Sequence, residues 1–134
     1  MTRHRILVAL TAMLVVSAGA ADAATPSVSI LEPVDGATVS SPFKLRFAVE
    51  GLTVAPAGAP SVGTGHHHLL IDGAPIAEGQ PVPVDATHIH FGKGQTETEV
   101  TLSPGIHKLT AQFATGEHKS YGPALSKTIT ITVK

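Results

Sequence analysis

The sequence predicts an all-β protein, a single immunoglobulin-like or fibronectin type III-like β-sandwich of about seven strands. The chain has 13 glycines and 10 prolines in 134 residues, and these separate short runs rich in valine, isoleucine, leucine and threonine. Such runs, bounded by turn residues, are typical of strands. Nowhere does the sequence carry the 3.6-residue apolar period of a helix. The length is that of one domain with one core.

The first residues are predicted to form an export signal that is not part of the fold. Arg3 and Arg5 give a basic start, residues 6–16 are apolar, and small residues in an A-x-A pattern follow. We predict a cleaved signal peptide over residues 1–23 and a mature domain over residues 24–134. The apolar run is too short for a membrane anchor, and without cysteine there is neither a lipid attachment site nor a disulfide. The mature chain is expected to be periplasmic or secreted, with no transmembrane segment.

Alternation of polar and apolar residues places the individual strands. The clearest case is residues 43–50, where Phe43, Leu45 and Phe47 are expected to face the core. The segment 54–65 is predicted as a loop, and the proline-rich segment 75–85 as an extended crossing over the surface. The remaining predicted strands cover residues 27–31, 37–40, 67–71, 88–91, 96–102, 106–113 and 126–133.

Two groups of histidines form the candidate functional site. His66, His67 and His68 are consecutive, and His88 and His90 follow about twenty residues later. Because successive side chains of a strand point to opposite faces, His66 and His68 share one face and His67 takes the other. His88 and His90 also share a face. Which face of the triplet turns toward the second pair stays open at this point.

Two such pairs on neighbouring strands place several imidazoles within reach of one metal ion. Facing Cβ atoms on adjacent strands lie about 4.5–5.5 Å apart, and imidazole nitrogens bind zinc, Cu(II) or nickel. The chain has no cysteine, and its two methionines precede residue 24, so a soft Cu(I) site is not expected. The predicted cofactor is a divalent transition metal, copper or zinc. The candidate ligands are His66, His68, His88, His90, His107 and His118. The residues predicted to orient these imidazoles are Gln95, Glu97 and Asp72.

Each histidine also has an interpretation that involves no metal. Histidines at sheet rims bond to backbone or carboxylate groups, and His107 shares a strand face with core residues, which favours a structural role. His118 lies in a polar loop, where exposure alone explains it. The second hypothesis is therefore a structural or partner-binding module of the cell envelope, which contacts another envelope protein and binds no metal.

Two further classes of function are disfavoured. A small metallohydrolase is the third hypothesis, but no general base accompanies the histidines, so an enzyme is not expected. Charged residues make up only 14% of the chain, and no basic patch with interleaved aromatic residues is present. Nucleic acid is therefore not expected as a partner.

Four phrases in the second half of the chain match a known pattern. They are GHHHLLID at 65–72, HFGKGQTE at 90–97, PGIH at 104–107 and HKSYGPALS at 118–126. In order and spacing they resemble the bacterial exported family called domain of unknown function 4399. The resemblance implies an exported β-sandwich and brings no established activity. Members often carry Asp-His and further histidines in the last loop, whereas this chain has Glu117-His118 followed by Lys119.

Overall fold

A computed structural model describes residues 19, 25–58 and 62–134, and the predicted signal peptide lies outside them apart from residue 19. A single turn of 3-10 helix, Pro123–Leu125, interrupts a succession of strands. The strands are β1 (Ser27–Glu32), β2 (Thr38–Val39), β3 (Phe43–Glu50), β4 (Thr53–Val54), β5 (Thr64–Ile71), β6 (His88–His90), β7 (Glu97–Val100), β8 (Gly105–Ala114) and β9 (Ser126–Val133). Within the described ranges, no helix is long and apolar enough to cross a membrane.

The strands form two sheets that pack as a sandwich. The first sheet has the order β1-β3-β7, with antiparallel pairing throughout. The second has the order β2-β9-β8-β5-β4, and β6 also pairs with β5. The predicted all-β sandwich is confirmed. Strand β2 lies within the predicted strand 37–40, whereas β4 is an additional dipeptide strand; the two form short parallel pairs with β9 and β5.

The hydrophobic core lies between the sheets and follows the predicted alternation. Leu45 and Phe47 of β3 are buried, whereas Lys44 between Phe43 and Leu45 is exposed. The inward side chains of β9 are also buried, namely Ile129, Ile131 and Val133. Complete burial of a large apolar side chain contributes about 1.5–3 kcal/mol. Packing of this kind has to stabilise the domain, since no disulfide is possible.

The second sheet is buried on both faces along part of its length. Residues 65–70 of β5 and residues 109–114 of β8 are all buried. Their inner side chains meet the first sheet, and their outer side chains lie beneath the segments 73–87 and 115–125. The proline-rich crossing therefore covers the sheet as well as traversing the surface, and Val82 within it is 4% exposed.

Gln112 on the outer face of β8 fastens these covering segments to the sheet. Its Nε2 donates hydrogen bonds to the carbonyls of Gly122 at 3.0 Å and Leu125 at 3.3 Å. Its Oε1 accepts a hydrogen bond from the backbone of Ile76 at 2.9 Å. A buried amide whose donor and acceptor are both used stabilises one particular arrangement of the loops. His66, His68, His88 and His90 lie on the same outer face.

Candidate metal centre

The three consecutive histidines of β5 divide between the two faces of the sheet. The ring of His67 stacks on Phe47 of the first sheet, with centroids 4.6 Å apart and planes 11° apart, and meets Phe113 edge-on at 5.1 Å. It therefore belongs to the core between the sheets. His66 and His68 project from the outer face, with ring centroids 4.8 Å apart. All three are fully buried. The strand alternation predicted from the sequence is present, and the pair faces outward.

Strand β6 brings a third imidazole to this pair. His90 lies directly opposite His68 in the antiparallel register, and facing residues of adjacent strands project to the same side. The Nε2 atom of His66 lies 3.0 Å from Nε2 of His68 and 3.1 Å from Nε2 of His90. One nitrogen from each ring lies within 4.8 Å of the others. The three residues, called the sheet histidines below, could together hold a metal ion.

The turn after β6 leaves room for the His90 ring. Phe91 enters the core, where its ring meets Phe47 edge-on at 5.1 Å, and its backbone N–H donates to the carbonyl of His67 at 3.1 Å. The next residue, Gly92, lies against the His90 ring. A Cβ atom at this position would overlap Cε1 of His90 and stand 3.1 Å from its Nδ1. Glycine is therefore required for this ring position.

His118 adds a fourth imidazole from the loop after β8. Its Nε2 lies 2.9 Å from Nε2 of His90, and its side chain is half-buried. Its backbone N–H donates to the Thr115 carbonyl at 2.9 Å, and its carbonyl accepts from Val82 at 2.8 Å. His118 has φ 63°, a left-handed conformation that costs a non-glycine residue about 1–2 kcal/mol. Such strain is often retained where a functional group has to be aimed.

Hydrogen bonds among the imidazoles do not account for this arrangement. A neutral imidazole nitrogen either donates or accepts one hydrogen bond, yet Nε2 of His66 faces two other Nε2 atoms. The Nδ1 atoms of His66 and His68 are buried and lack a hydrogen-bond partner among the described residues. A tetrahedral ion with bonds of 2.0–2.1 Å needs ligand nitrogens about 3.3 Å apart; three Nε2–Nε2 contacts are close to this value, and the ligand atoms of the sheet histidines all lie within 4.8 Å of one another. The residues present thus fit an ion bound through Nε2, with the proton on Nδ1.

The surroundings of the sheet histidines favour their neutral forms. Burial lowers the pKa of His66 to about 4 and that of His68 to about 3, and the neighbouring imidazoles add to both shifts. Burial also lowers the pKa of His90, with a further contribution from His118. Metal binding needs the neutral imidazole with a free lone pair. At neutral pH the ligand nitrogens are therefore available without loss of protons.

His88 shares a face of β6 with His90 but turns to a different partner. It lies opposite Leu70 in the register, and its Nδ1 donates to Oδ1 of Asp85 at 2.8 Å. A tight turn in which the backbones of Asp85 and His88 bond to each other brings the carboxylate back over the ring. His88, which was predicted as a metal ligand, is therefore hydrogen-bonded to the Asp85 carboxylate and does not join the sheet histidines.

His107 and Asp72, predicted as a ligand and an orienting residue, bond to each other. Nδ1 of His107 donates to Oδ2 of Asp72 at 2.9 Å, and Nε2 donates to the carbonyl of Ser103 at 2.8 Å. The Asp72 carboxylate raises the pKa of His107, and the Ser103 carbonyl adds to the shift. The other carboxylate oxygen accepts the backbone N–H of Lys108 at 2.8 Å. This pair, called the His107–Asp72 brace below, joins the end of β5 to the start of β8.

Gln95 and Glu97, the other predicted orienting residues, also have partners elsewhere. Oε1 of Gln95 accepts the backbone N–H of Lys93 at 2.9 Å, which closes the glycine-rich turn after β6. Glu97 lies on β7 in the first sheet and pairs with Lys44 at 3.5 Å, with both side chains more than half exposed. Because β7 pairs with β3, its outward residues lie on the opposite side of the sandwich from the sheet histidines.

The fold and the site define an all-β sandwich domain with clustered imidazoles on the covered face of one sheet. The family model described as Domain of unknown function (DUF4399) matches residues 45–134, and the chain belongs to this family. The matched region contains the sheet histidines and His118, and the resemblance seen in the four sequence phrases is confirmed. No protein with a curated description and no solved structure matches the chain.

Proposed function

We propose that this protein is an exported, non-enzymatic domain that binds one divalent transition metal ion, copper or zinc. The ligands are Nε2 of His66, His68 and His90, with Nε2 of His118 as the fourth. The observation that carries the proposal is the chain of Nε2 contacts at 3.0, 3.1 and 2.9 Å. The signal-like first residues support a periplasmic location.

The chemistry of the donors supports copper or zinc. Four imidazole nitrogens with no thiolate form a set of intermediate softness, suited to Cu(II) and Zn(II). Cu(II) binds nitrogen sites more tightly than Zn(II) in the general order of divalent metals, so Cu(II) should displace Zn(II) here.

The carboxylates near the site in sequence support binding rather than hydrolysis. A metal-bound water needs a neighbouring base to become an efficient nucleophile. Asp72 and Asp85 accept hydrogen bonds from His107 and His88, so both carboxylates are already engaged. Glu117, next to His118 in the chain, is more than half exposed and lies 3.8 Å from Lys119. Among the described residues, no carboxylate bonds to the four imidazoles.

Titration of the purified protein, without a polyhistidine tag, with Cu(II) and Zn(II) tests the proposal. We expect one-to-one binding with a submicromolar dissociation constant in the wild type and its loss in a His68→Ala/His90→Ala variant. A His88→Ala/His107→Ala variant removes the same number of imidazoles outside the site and should bind as the wild type does. Absence of binding by the folded wild type, or equal loss in both double variants, would rule the proposal out.

A further inference from the structure

The four imidazoles are held in two different ways. His66 and His68 are fully buried on β5, which is paired on one side with β8 and on the other with β6. His90 lies opposite His68 within that pairing. Interiors are packed closely enough that a buried ring has no free volume into which it could turn. His66 and His68 are therefore fixed as long as the strands remain paired, and the half-buried His90 is held by its strand pairing with His68 and by the contact of its ring with Gly92.

His118, by contrast, lies in a loop, outside the paired strands, with a fixed backbone and a half-buried side chain. The Thr115 N–H donates to the carbonyl of Lys119 at 2.8 Å, and its Oγ1 accepts the Lys119 N–H at 3.2 Å. The flanking side chains of Glu117 and Lys119 are more than half exposed, with a long ion pair of 3.8 Å. Rotation of the half-buried His118 side chain needs no change of backbone and no loss of strand pairing. Of the four imidazoles, His118 is thus the one placed to leave.

We propose that His118 is the exchangeable ligand and that the metal enters and leaves through its position. This inference rests on the proposed function. In the first step a ligand atom of the acceptor would bind the ion and the bond to Nε2 of His118 would break, while the sheet histidines still hold the ion. Further acceptor ligands or water would then replace the three sheet histidines, one bond formed for each bond broken. No electron moves, and the released imidazole of His118 is hydrated. The acceptor is a protein or chelator that offers an imidazole or thiolate.

Three fixed nitrogens and one replaceable ligand give the site two states. With His118 bound, the coordination is complete and the ion is shielded from water. With His118 rotated away, the fourth position is open, as in zinc sites that accept water or substrate. The left-handed backbone of His118 aims the ring at the closed state, and the sheet histidines stay unchanged in both. A site of this design suits transfer of a metal ion more than permanent structural binding.

The His118→Gly variant tests this inference because glycine adopts φ 63° without strain. The Zn(II)-loaded full-length wild type and variant are mixed with the chromogenic chelator 4-(2-pyridylazo)resorcinol in a stopped-flow instrument. We expect transfer from the variant to be faster by about tenfold or more. We also expect the Cu(II)-loaded variant to take up added imidazole, which restores the electron paramagnetic resonance spectrum of the wild type.

The controls separate this inference from the proposed function. His88→Ala, which removes a neighbouring imidazole outside the site, should transfer metal at the rate of the wild type. A wild type that binds metal, together with a His118→Gly variant of unchanged transfer rate and spectrum, would overturn the inference alone. A folded wild type that binds neither ion would overturn the proposed function. A His66→Ala variant is expected to lose binding altogether, rather than exchange its metal faster.

Discussion

The imidazole of His67 lies parallel to the ring of Phe47, with centroids 4.6 Å apart, although both chain neighbours of His67 belong to the candidate metal site. The stack fixes β5 against the first sheet and directs the alternate residues His66 and His68 outward. Both ring nitrogens of His67 are buried and have no hydrogen-bond partner among the described residues. A buried polar group without a hydrogen-bond partner lowers the free energy of unfolding by about 1–3 kcal/mol.

The first prediction concerns a His67→Leu variant of the metal-free protein. Burial lowers the pKa of His67 to about 4, with a further contribution from His66. The unfolded chain therefore binds more protons between pH 6.5 and 4, and the free energy of unfolding falls as the pH falls through this window. Leucine does not titrate. When the pH is lowered from 7.5 to 5, the free energy of unfolding of the variant should therefore rise by about 2 kcal/mol relative to that of the wild type. Urea unfolding at both pH values measures this difference.

The same variant also checks the assignment of faces. Because His67 lies in the core, its replacement should leave one-to-one metal binding intact. Loss of binding in a folded His67→Leu protein would contradict the assignment of His66 and His68 as the outward pair.

The second prediction concerns the close approach of Gly92 to the His90 ring. A Gly92→Ala substitution places a methyl group where the ring stands, so His90 has to turn and its Nε2 leaves the other nitrogens. Metal affinity should fall by about tenfold or more, while the melting temperature of the metal-free protein changes by only a few degrees. Isothermal titration calorimetry and thermal unfolding give the two quantities. In Gly73→Ala the new methyl group meets Leu70 Cβ at an ordinary 3.7 Å, and this control should bind as the wild type does.

The third prediction concerns the His107–Asp72 brace. Asp72 raises the pKa of His107, so this contribution to stability is complete below the unfolded value of about 6.5 and is lost as the pH rises through the folded value. His107 lowers the pKa of Asp72, so the contribution of Asp72 is complete above 3.8 and is lost at lower pH. The contribution of the His107–Asp72 brace to the free energy of unfolding should be largest between about pH 4 and 6.5.

A His107→Gln variant measures the brace directly. Its deficit in unfolding free energy should be larger at pH 5.5 than at pH 8.5, because glutamine carries no charge at either value. Parallel pH profiles for wild type and variant would show that the imidazolium does not stabilise the fold. Unchanged metal affinity of the variant is also expected, because His107 bonds to Asp72 and Ser103.

Alternation made much of the fold predictable, because it depends only on neighbouring residues. The inward residues of β3 and β9 are as predicted for that reason. The predicted loop 54–65 is wrong at both ends, where Val54 belongs to β4 and residues 64–65 belong to β5. The sequence does not indicate this because residues 53–54 become a strand only through parallel pairing with residues 64–65. Gln112 carries no sequence signal, since its partners Ile76 and Gly122 are brought to it by the fold.

The candidate site was predictable to the level of the strand face. Alternation separates His67 from its two neighbours, but it treats His88 and His90 alike. The difference between them arises from the Asp85 turn, whose carboxylate accepts a hydrogen bond from His88. His118 comes close only because the loop after β8 folds over β6, and no local pattern contains that contact. Which histidines come together can therefore be known only from the strand register and from the path of the loop after β8.

The fourth prediction concerns protons released when metal binds. Since the pKa values of His66, His68 and His90 are lowered, these residues carry fewer protons at pH 6 than imidazoles of ordinary pKa. Three imidazoles of ordinary pKa would release about two protons on binding at that pH. We expect the sheet histidines to release far fewer protons. The number released is measured in the His118→Gly variant by calorimetry in buffers of different ionisation enthalpy. Release of two protons or more would contradict the neutral state of the cluster.

The most direct test of the metal site is anomalous diffraction from crystals of the Zn(II)- or Cu(II)-loaded protein, with data on both sides of the metal absorption edge. A single peak is expected at about 2.0–2.1 Å from Nε2 of His66, His68 and His90, with His118 as the fourth ligand. Density for the ion between His88 and Asp85 or at His107 and Asp72, or no ion between the sheet histidines, would contradict the account.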